Sequence, residues 1–276
     1  MGNEVLTDGG GPVLQRVKVV LTFRGAGWAN GAISSSEVRR SFVATLASPY
    51  MSQLIQYRGI RRAQIIFTQE DTADMGRLGP DPRKFVSGNI WLIADEDVRN
   101  AARVALRARP PQENEEVLYL VVVSQDPIPI VVEFQDASGY HSQFLEDGVV
   151  VRYGVLLHQS ASTAEEAWHY LPGVFSHELV EACTDPDTTS GFHVVIDGKP
   201  EELCDLDDTR PVRLNGFAPE VKLAAYWSEL GREAVVPTVY SLRAALGKRP
   251  TDPVPSVKTA IAGTDVRAFI RAGCDV

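Results

Sequence analysis

The residues in this chain with the clearest chemical potential are a histidine and two glutamates in the stretch SHELVEACTDPD, residues 176–187. They form an HExxE pattern, with His177, Glu178 and Glu181 at the first, second and fifth positions, on a predicted helix. Positions i and i+4 of a helix project from one face about one turn apart. His177 and Glu181 are therefore predicted to bind one metal ion. Glu178 stands where the zinc-hydrolase motif H-E-x-x-H has its general base.

The rest of the metal site must come from elsewhere in the chain. A catalytic zinc site needs three protein ligands and one open position for water. We predict Asp205 as the third ligand, because it lies in the acidic segment EELCDLDD a hairpin's length downstream. Asp207 and Glu202 are close alternatives, and His193 is a nitrogen alternative. Two carboxylates and one imidazole are a hard ligand set, so manganese, iron and calcium are alternatives to zinc.

Hydrolysis is the reaction that this set of residues favours. Zinc lowers the pKa of a bound water to about 7, and Glu178 is predicted to accept that water's proton as general base. The activated water then attacks an amide or ester bond of a peptide or small-molecule substrate. His141, in GYHSQF, is predicted to stabilise the oxyanion or to orient the substrate, with a packed, hydrogen-bonded histidine as the alternative. Asp185 and Asp187 are predicted to support the ligands or to cap the helix end.

The net charge of −9 comes from one acidic segment of the chain. Residues 177–208 carry ten acids and one base, which leaves 26 acids and 26 bases in the rest of the chain. So many neighbouring carboxylates repel one another unless a cation offsets them or the side chains extend into water. A solvent-exposed helix whose acids form i, i+4 pairs is the simplest alternative to a metal site. Because no basic patch compensates, nucleic acid is not an expected partner.

Composition indicates a globular protein. The chain has 276 residues, of which 44% are apolar and 23% charged. No apolar run reaches the roughly 18 residues of a transmembrane helix, so no membrane contact is expected. The N-terminus MGNEVLTDGGGP lacks the basic start and apolar core of a signal peptide, which predicts a cytoplasmic protein, or a secreted one if a leader has been removed. Cys183, Cys204 and Cys274 are predicted to be reduced and packed, with a Cys183–Cys204 bond as the alternative.

The order of apolar segments predicts a single α/β (α+β) domain, with a mixed sheet and the HELVE helix packed on it. Residues 1–16 are predicted to be a flexible leader and 17–276 the domain, with the part from 210 onward of undefined role. Residues 70–89 are polar and rich in glycine and proline, which predicts a surface loop. Pro172 is predicted to begin the HELVE helix. Strands are predicted at 17–23, 63–68, 117–124, 128–134 and 149–157, and helices after Ser34, over 95–109 and after Thr163.

Several motifs together resemble one known family. SHELVEACTDPD, then GF, then EELCDLDD are similar to the pattern HELAE-x-x-TDP, GW or GWY, and E-x-x-D-x-C of the EXORDIUM-like (phosphate-induced) proteins and their bacterial relatives. TFRGAGWA resembles that family's WG-x-x-W segment, SPYMSQLIQYRG its SPYM-x-x-L-x-QY segment, and GYHSQF its GYHS-x-F segment. The resemblance covers roughly residues 17–210, with the motifs in the same order.

The resemblance implies a zincin-like domain and assigns residues position by position. His177, Glu178 and Glu181 match the HELAE signature, and Glu202 and Asp205 match the acids of the second motif. The chain departs from the family where the pattern ends in cysteine, because Asp207 stands there. The family is typically secreted, and its activity is presumed from the zincin-like motif.

Two other function classes fit the same residues. The first is a binding or signalling protein in which the metal is structural and no reaction is catalysed. The second is a biosynthetic metalloenzyme that uses the same site for lyase or cyclisation chemistry on a small molecule. The sequence does not predict an oligomeric state.

Overall fold

The structure is a computed structural model that describes residues 5–75, 80–85, 88–126, 128–134, 137–160, 162–196, 198–206 and 209–237. Its α-helices are α1 (Gly27–Asn30), α2 (Ser35–Ala47), α3 (Asp95–Ala108) and α4 (Ala164–Thr184), and 3-10 helices span Pro49–Gln56 and Val132–Phe134. Its strands are β1 (Val5–Asp8), β2 (Arg16–Arg24), β3 (Arg62–Asp71), β4 (Pro80–Phe85), β5 (Gly88–Ile93), β6 (Val117–Gln125), β7 (Ile128–Val131), β8 (Gly139–Glu146), β9 (Val149–Gln159), β10 (Phe192–Ile196), β11 (Lys199–Glu202), β12 (Thr209–Arg213), β13 (Glu220–Ala224), β14 (Tyr226–Ser228) and β15 (Glu233–Val235).

A five-stranded mixed sheet is the centre of the fold. Its strand order is β3-β2-β6-β9-β8. The first four strands are parallel to one another, and the edge strand β8 is antiparallel to β9. The predicted α/β class with a mixed sheet is confirmed.

The central strand β6 joins two cores, and all nine of its residues are buried. Since side chains alternate across a strand, Leu118, Leu120 and Val122 pack in the core that also contains apolar residues of α2 and α4. Val121 and Val123 pack in the core beneath α3. The result is a sheet between two helical layers, and the layer with α4 carries the HELVE sequence.

Helix α4 is one continuous helix, so the prediction that Pro172 begins a new helix is wrong. The helix starts after Thr163, which forms a capping box with Glu166, and it runs through Pro172 to Thr184. An internal proline costs about 3 kcal/mol, but Leu171 and Phe175 on either side of it are fully buried, and their packing offsets that cost. No helix within the described ranges has the length and apolarity needed to cross a bilayer.

Two segments predicted to lack regular structure contain strands. In 70–89, β3 continues to Asp71, and β4 and β5 pair antiparallel, with β5 also parallel to β7. Ile93 of β5 and Val131 of β7 are buried in the core beneath α3, which holds this small sheet in place. In the predicted flexible leader, β1 pairs antiparallel with β10 in a sheet completed by β11. Thr7 donates from its hydroxyl to the His193 carbonyl, and Arg58 forms an ion pair with Asp8, which holds β1 in place.

The C-terminal strand β13, which pairs with β12, packs against the HELVE helix and gives this part of the chain a role that the sequence did not predict. The main-chain N–H of Ala224 on β13 donates to the Ser176 hydroxyl at 2.9 Å, and the Tyr50 hydroxyl donates to the Ala224 carbonyl at 2.8 Å. Cys183 and Cys204 are buried free thiols, as predicted. Cys274 lies outside the described residues.

His158 on β9 links the stability of this fold to pH. Burial lowers the pKa of His158 to about 4, against about 6.5 for an ordinary histidine. The unfolded chain therefore binds a proton below pH 6.5 that the folded chain binds only near pH 4. The stability contributed by the neutral ring is complete above pH 6.5 and is lost as the pH falls toward 4.

We expect wild type to lose about 2 kcal/mol more unfolding free energy than His158→Gln between pH 7.5 and pH 5. Urea unfolding of both proteins at the two pH values measures this difference. Equal losses in the two proteins would show that His158 titrates normally in the fold.

Candidate metal centre

Both glutamates of the HELVE sequence point into the protein. Glu178 is 3% exposed and Glu181 is 2% exposed, because α4 is covered by the main sheet on one side and by β13 on another. His177, which is half-buried, lies beside them. The alternative of a solvent-exposed helix with paired acids is therefore wrong. Burying two carboxylates costs free energy unless hydrogen bonds or positive charge compensate.

The structure brings together the three residues predicted to bind the ion. His177 Nε2 lies 3.1 Å from Glu181 Oε1 and 3.5 Å from Asp205 Oδ1. Asp205 lies three residues after the end of β11. The main-chain N–H of Trp227 donates to the Leu203 carbonyl at 2.9 Å, and this hydrogen bond fixes the segment over α4. The spacing is close to the roughly 3.4 Å that separates two atoms bound to one tetrahedral zinc. Their role as ligands stays a prediction.

The alternatives for the third ligand occupy different places. Glu202, Glu181 and Asp205 each have an oxygen within 4.8 Å of the others, so Glu202 lies at the same centre. His193 Nε2 instead lies 3.2 Å from Asp185 Oδ2, away from His177. Asp207 lies outside the described residues. Cys204 also offers its sulfur within 4.8 Å of His177 and Glu181, a ligand that the sequence did not single out.

His141 lies in the middle of the acidic residues. On β8 the two-residue period puts it on the side of α4, where Nδ1 lies 3.5 Å from Glu178 Oε2 and 3.8 Å from Glu181 Oε2. Its Nε2 lies 3.0 Å from the main-chain oxygen of Asp185 and 3.7 Å from Glu202 Oε1. A carbonyl only accepts, so Nε2 donates to it. His141 is thus a buried, hydrogen-bonded residue and also part of the centre.

Asp185 ends α4 and shapes the turn that follows, which agrees with the prediction of a helix-end cap. Its Oδ1 accepts hydrogen bonds from the main-chain N–H groups of Thr189, Ser190 and Gly191 at 3.2, 3.2 and 2.8 Å. Asp187 accepts from the Ser190 hydroxyl at 2.6 Å. These bonds hold the chain in a tight turn that leads from the helix into β10.

A pocket of about 320 Å³ opens onto this centre. It lies between α4, the edge strand β8 and the segment after β11, and it also includes residues that the sequence did not suggest. Its lining residues are Phe134, Gly139, Tyr140, His141, Ser142, His177, Glu178, Glu181, Thr188, Glu202 and Asp205. All five predicted site residues, those expected to bind the ion and those expected to act on the substrate, therefore border one space.

The acidic side chains around the two histidines raise the pKa of both imidazoles. Burial lowers the pKa of His141, but the contact with Glu178 and the charge of Glu202 outweigh it and raise the pKa to about 9. Burial likewise opposes protonation of His177, while the contacts with Asp205 and Glu181 raise its pKa to about 11. Positive charge is thus strongly favoured at both rings.

The carboxylates differ according to burial. Burial raises the pKa of Glu181 and of Glu202, and the charge of Glu181 raises that of Glu202 further. The contact with His177 keeps the pKa of Asp205 below its usual range. Burial raises the pKa of the Cys204 thiol well above its ordinary value, and the charge of Glu181 adds to the effect. Glu181 and Glu202 are therefore reluctant to ionise, whereas Asp205 ionises readily.

Four carboxylate oxygens at the centre lack hydrogen-bond partners. Among the described residues, Glu178 Oε2, Glu181 Oε1, Asp185 Oδ2 and Glu202 Oε1 are buried and accept no hydrogen bond. The ion pairs that these four carboxylates form within the same ranges are all with histidine. Unpartnered buried oxygens facing imidazole nitrogens fit a divalent cation.

Gly139 is a further residue that the site requires. A Cβ on Gly139 would lie 2.7 Å from both the Val155 carbonyl oxygen and Val174 Cγ1, and 3.0 Å from Glu178 Oε1. Its lack of a side chain lets β8 approach α4 at Glu178. The sequence signal was the glycine that begins GYHSQF, two residues before His141.

We expect Gly139→Ala to destabilise the fold by about 1–3 kcal/mol and to weaken metal binding, because the methyl group must displace Glu178 or Val174. Urea unfolding and metal titration measure the two effects. Gly173→Ala is the matched control, since its Cβ would meet its nearest neighbour at 3.5 Å, an ordinary contact, and should be neutral or slightly stabilising. If the two variants had the same unfolding free energy and the same metal affinity, the close approach of β8 to α4 at Gly139 would not be required.

Comparison with known proteins adds no assignment. The chain matches no protein-family model. It also has no significant match among curated proteins. The resemblance to the EXORDIUM-like proteins is therefore a prediction that rests on the short motifs alone.

Proposed function

We propose that the protein is a metal-dependent hydrolase of metallopeptidase type. In this proposal His177, Glu181 and Asp205 bind one divalent ion, with zinc the first candidate and manganese, iron or calcium the alternatives. Glu178 is the general base, and the substrate is a peptide or a small molecule with an amide or ester bond. The proposal agrees with the presumed activity of the family that the motifs resemble.

One observation carries the proposal: buried carboxylate oxygens without hydrogen bonds face a histidine at the spacing of metal ligands. Glu181 Oε1 is such an oxygen, and it lies 3.1 Å from His177 Nε2. A structural ion pair would be expected to complete its hydrogen bonds. Three protein donors at the edge of an open pocket also leave room for a water or substrate atom, which a catalytic site needs.

The proposed chemistry divides between the ion and the chain. A divalent ion at this place polarises a carbonyl group and lowers the pKa of water to about 7. Glu178, one position along α4 from His177, accepts the proton of the attacking water and passes it to the leaving group. His141 orients the substrate carbonyl from the β8 side of the pocket.

The proposal predicts at least one divalent ion per chain in protein purified without chelator. His177→Ala should lower that number by one, because it removes the only nitrogen of the three ligands. Elemental analysis of both proteins measures the content. His169→Ala is the matched control, since His169 lies on the same helix beside a different pocket. Wild-type protein without any divalent ion would contradict the proposal.

For Glu178→Gln we expect turnover to fall about 10²- to 10⁴-fold while an ion is still bound at His177, because the amide cannot accept the proton. The assay is hydrolysis of peptide and ester panels by the metal-loaded proteins, with metal content measured in parallel. Undiminished hydrolysis by the variant would rule out Glu178 as base. Bound metal in wild type without hydrolysis of any substrate would favour a structural role for the ion.

A further inference from the structure

The two oxygens of Glu181 face two different groups of ligands. Oε1 lies 3.1 Å from His177 Nε2, and Oε2 lies 3.8 Å from His141 Nδ1. The first group is the proposed site with Asp205. The second consists of His141, Glu178 and Glu181, whose ligand atoms lie within 4.8 Å of one another. All three side chains of the second group are more than nine-tenths buried.

The hydrogen bond made by His141 Nε2 determines what its Nδ1 presents to this second group. Because Nε2 donates to the Asp185 carbonyl, a neutral His141 has a lone pair on Nδ1. That lone pair faces Glu178 Oε2 at 3.5 Å and Glu181 Oε2 at 3.8 Å. Lone pairs and carboxylates directed at one point repel unless a cation lies between them.

The distances suit a metal ion better than a proton. A hydrogen bond from a protonated Nδ1 to a carboxylate would be about 2.7–2.9 Å long. Glu178 Oε2 instead accepts no hydrogen bond from any described residue. Two atoms bound to one tetrahedral ion are about 3.4 Å apart, and the longer bonds of larger ions increase that separation. Both measured distances are close to these values.

The charge of the centre gives an independent argument. Glu178, Glu181, Glu202 and Asp205 line one pocket and form ion pairs only with histidine among the described residues. One divalent ion offsets two of these four negative charges when both histidines are neutral ligands. Two divalent ions offset all four. Buried charge without compensation costs several kcal/mol per group, so the second ion removes a large penalty.

We propose that His141 Nδ1, Glu178 Oε2 and Glu181 Oε2 bind a second divalent ion, and that Glu181 bridges the two ions. This rests on the first ion of the proposed function, which shares Glu181, and it reassigns Glu178 from general base to metal ligand. Ions in two-metal hydrolytic sites lie about 3.5–4 Å apart, a separation that one bridging carboxylate spans. The carboxylate-rich ligands with one imidazole favour manganese or iron at the second position.

The second ion changes the part played by Glu178. With one ion bound, Glu178 is free to accept a proton. With two bound, it is a ligand, and its replacement lowers the metal content. Glu178→Gln should lose turnover in both cases, so the number of bound ions separates them and activity does not.

The test uses the full chain freed of metal by dialysis and titrated with Mn²⁺. We expect two ions per chain by elemental analysis and an electron paramagnetic resonance spectrum of an exchange-coupled pair. His141→Leu and Glu178→Gln should each bind one ion and give the spectrum of isolated Mn²⁺. His158→Gln, which replaces a buried histidine on the neighbouring strand, is the matched control and should bind two. Glu178→Gln, with nearly unchanged shape, decides the question if His141→Leu does not fold.

Each outcome bears on one proposal. Wild type that saturates at one ion, or Glu178→Gln that still binds two, overturns the second site and leaves the hydrolase proposal standing. Two ions without exchange coupling overturn the bridge by Glu181. Two coupled ions without hydrolysis of any substrate support the second site and overturn the proposed function.

Discussion

Buried negative charge on α4 is the constraint on which the rest of the centre depends. The helix lies between the main sheet and β13, and the side chains of Glu178 and Glu181 are almost completely buried. The segment after β11 adds Glu202 and Asp205 to the same pocket, and the balancing groups among the described residues are the imidazoles of His141 and His177. If packing alone mattered, apolar side chains in place of these buried charged residues would make the fold more stable. The arrangement is what the proposed metal ion would require.

The sequence predicted the features that depend on residues close together in the chain. The i, i+4 spacing of His177 and Glu181 and the apolar run of β6 depend on neighbours in sequence, and both were predicted. Asp205 was predicted to lie near His177 and Glu181 because it stands in an acidic segment a hairpin's length downstream, and it does lie near His177. The place of His141 depends on β8 being an antiparallel edge strand, and Glu178 is covered by the same strand, about 40 residues earlier in the chain. Such long-range packing leaves only weak local patterns.

Incorrect expectations have the same physical origin. Pro172 has the local properties of a helix start, yet the buried residues on both sides keep α4 continuous. The glycine-rich N-terminal segment has low apolar content, yet β1 is held by main-chain pairing with β10, which any sequence can provide. In both cases tertiary contacts outweigh local propensity.

The three-stranded sheet of β1, β10 and β11 affects the order in which the centre assembles. The proposed ligands on α4 come from one helix, which can form early from local contacts. Glu202 is the last residue of β11, and Asp205 lies three residues later. β11 pairs with β10, and β10 pairs on its other side with β1, nearly 190 residues earlier in the chain. Closing so large a loop carries an entropic cost, and the contacts that compensate it form only when the strands of the sheet pair. In the proposed site, the free energy of ion binding would therefore include the free energy of docking β1 onto β10, so metal affinity and the integrity of the N-terminal strand would be thermodynamically linked.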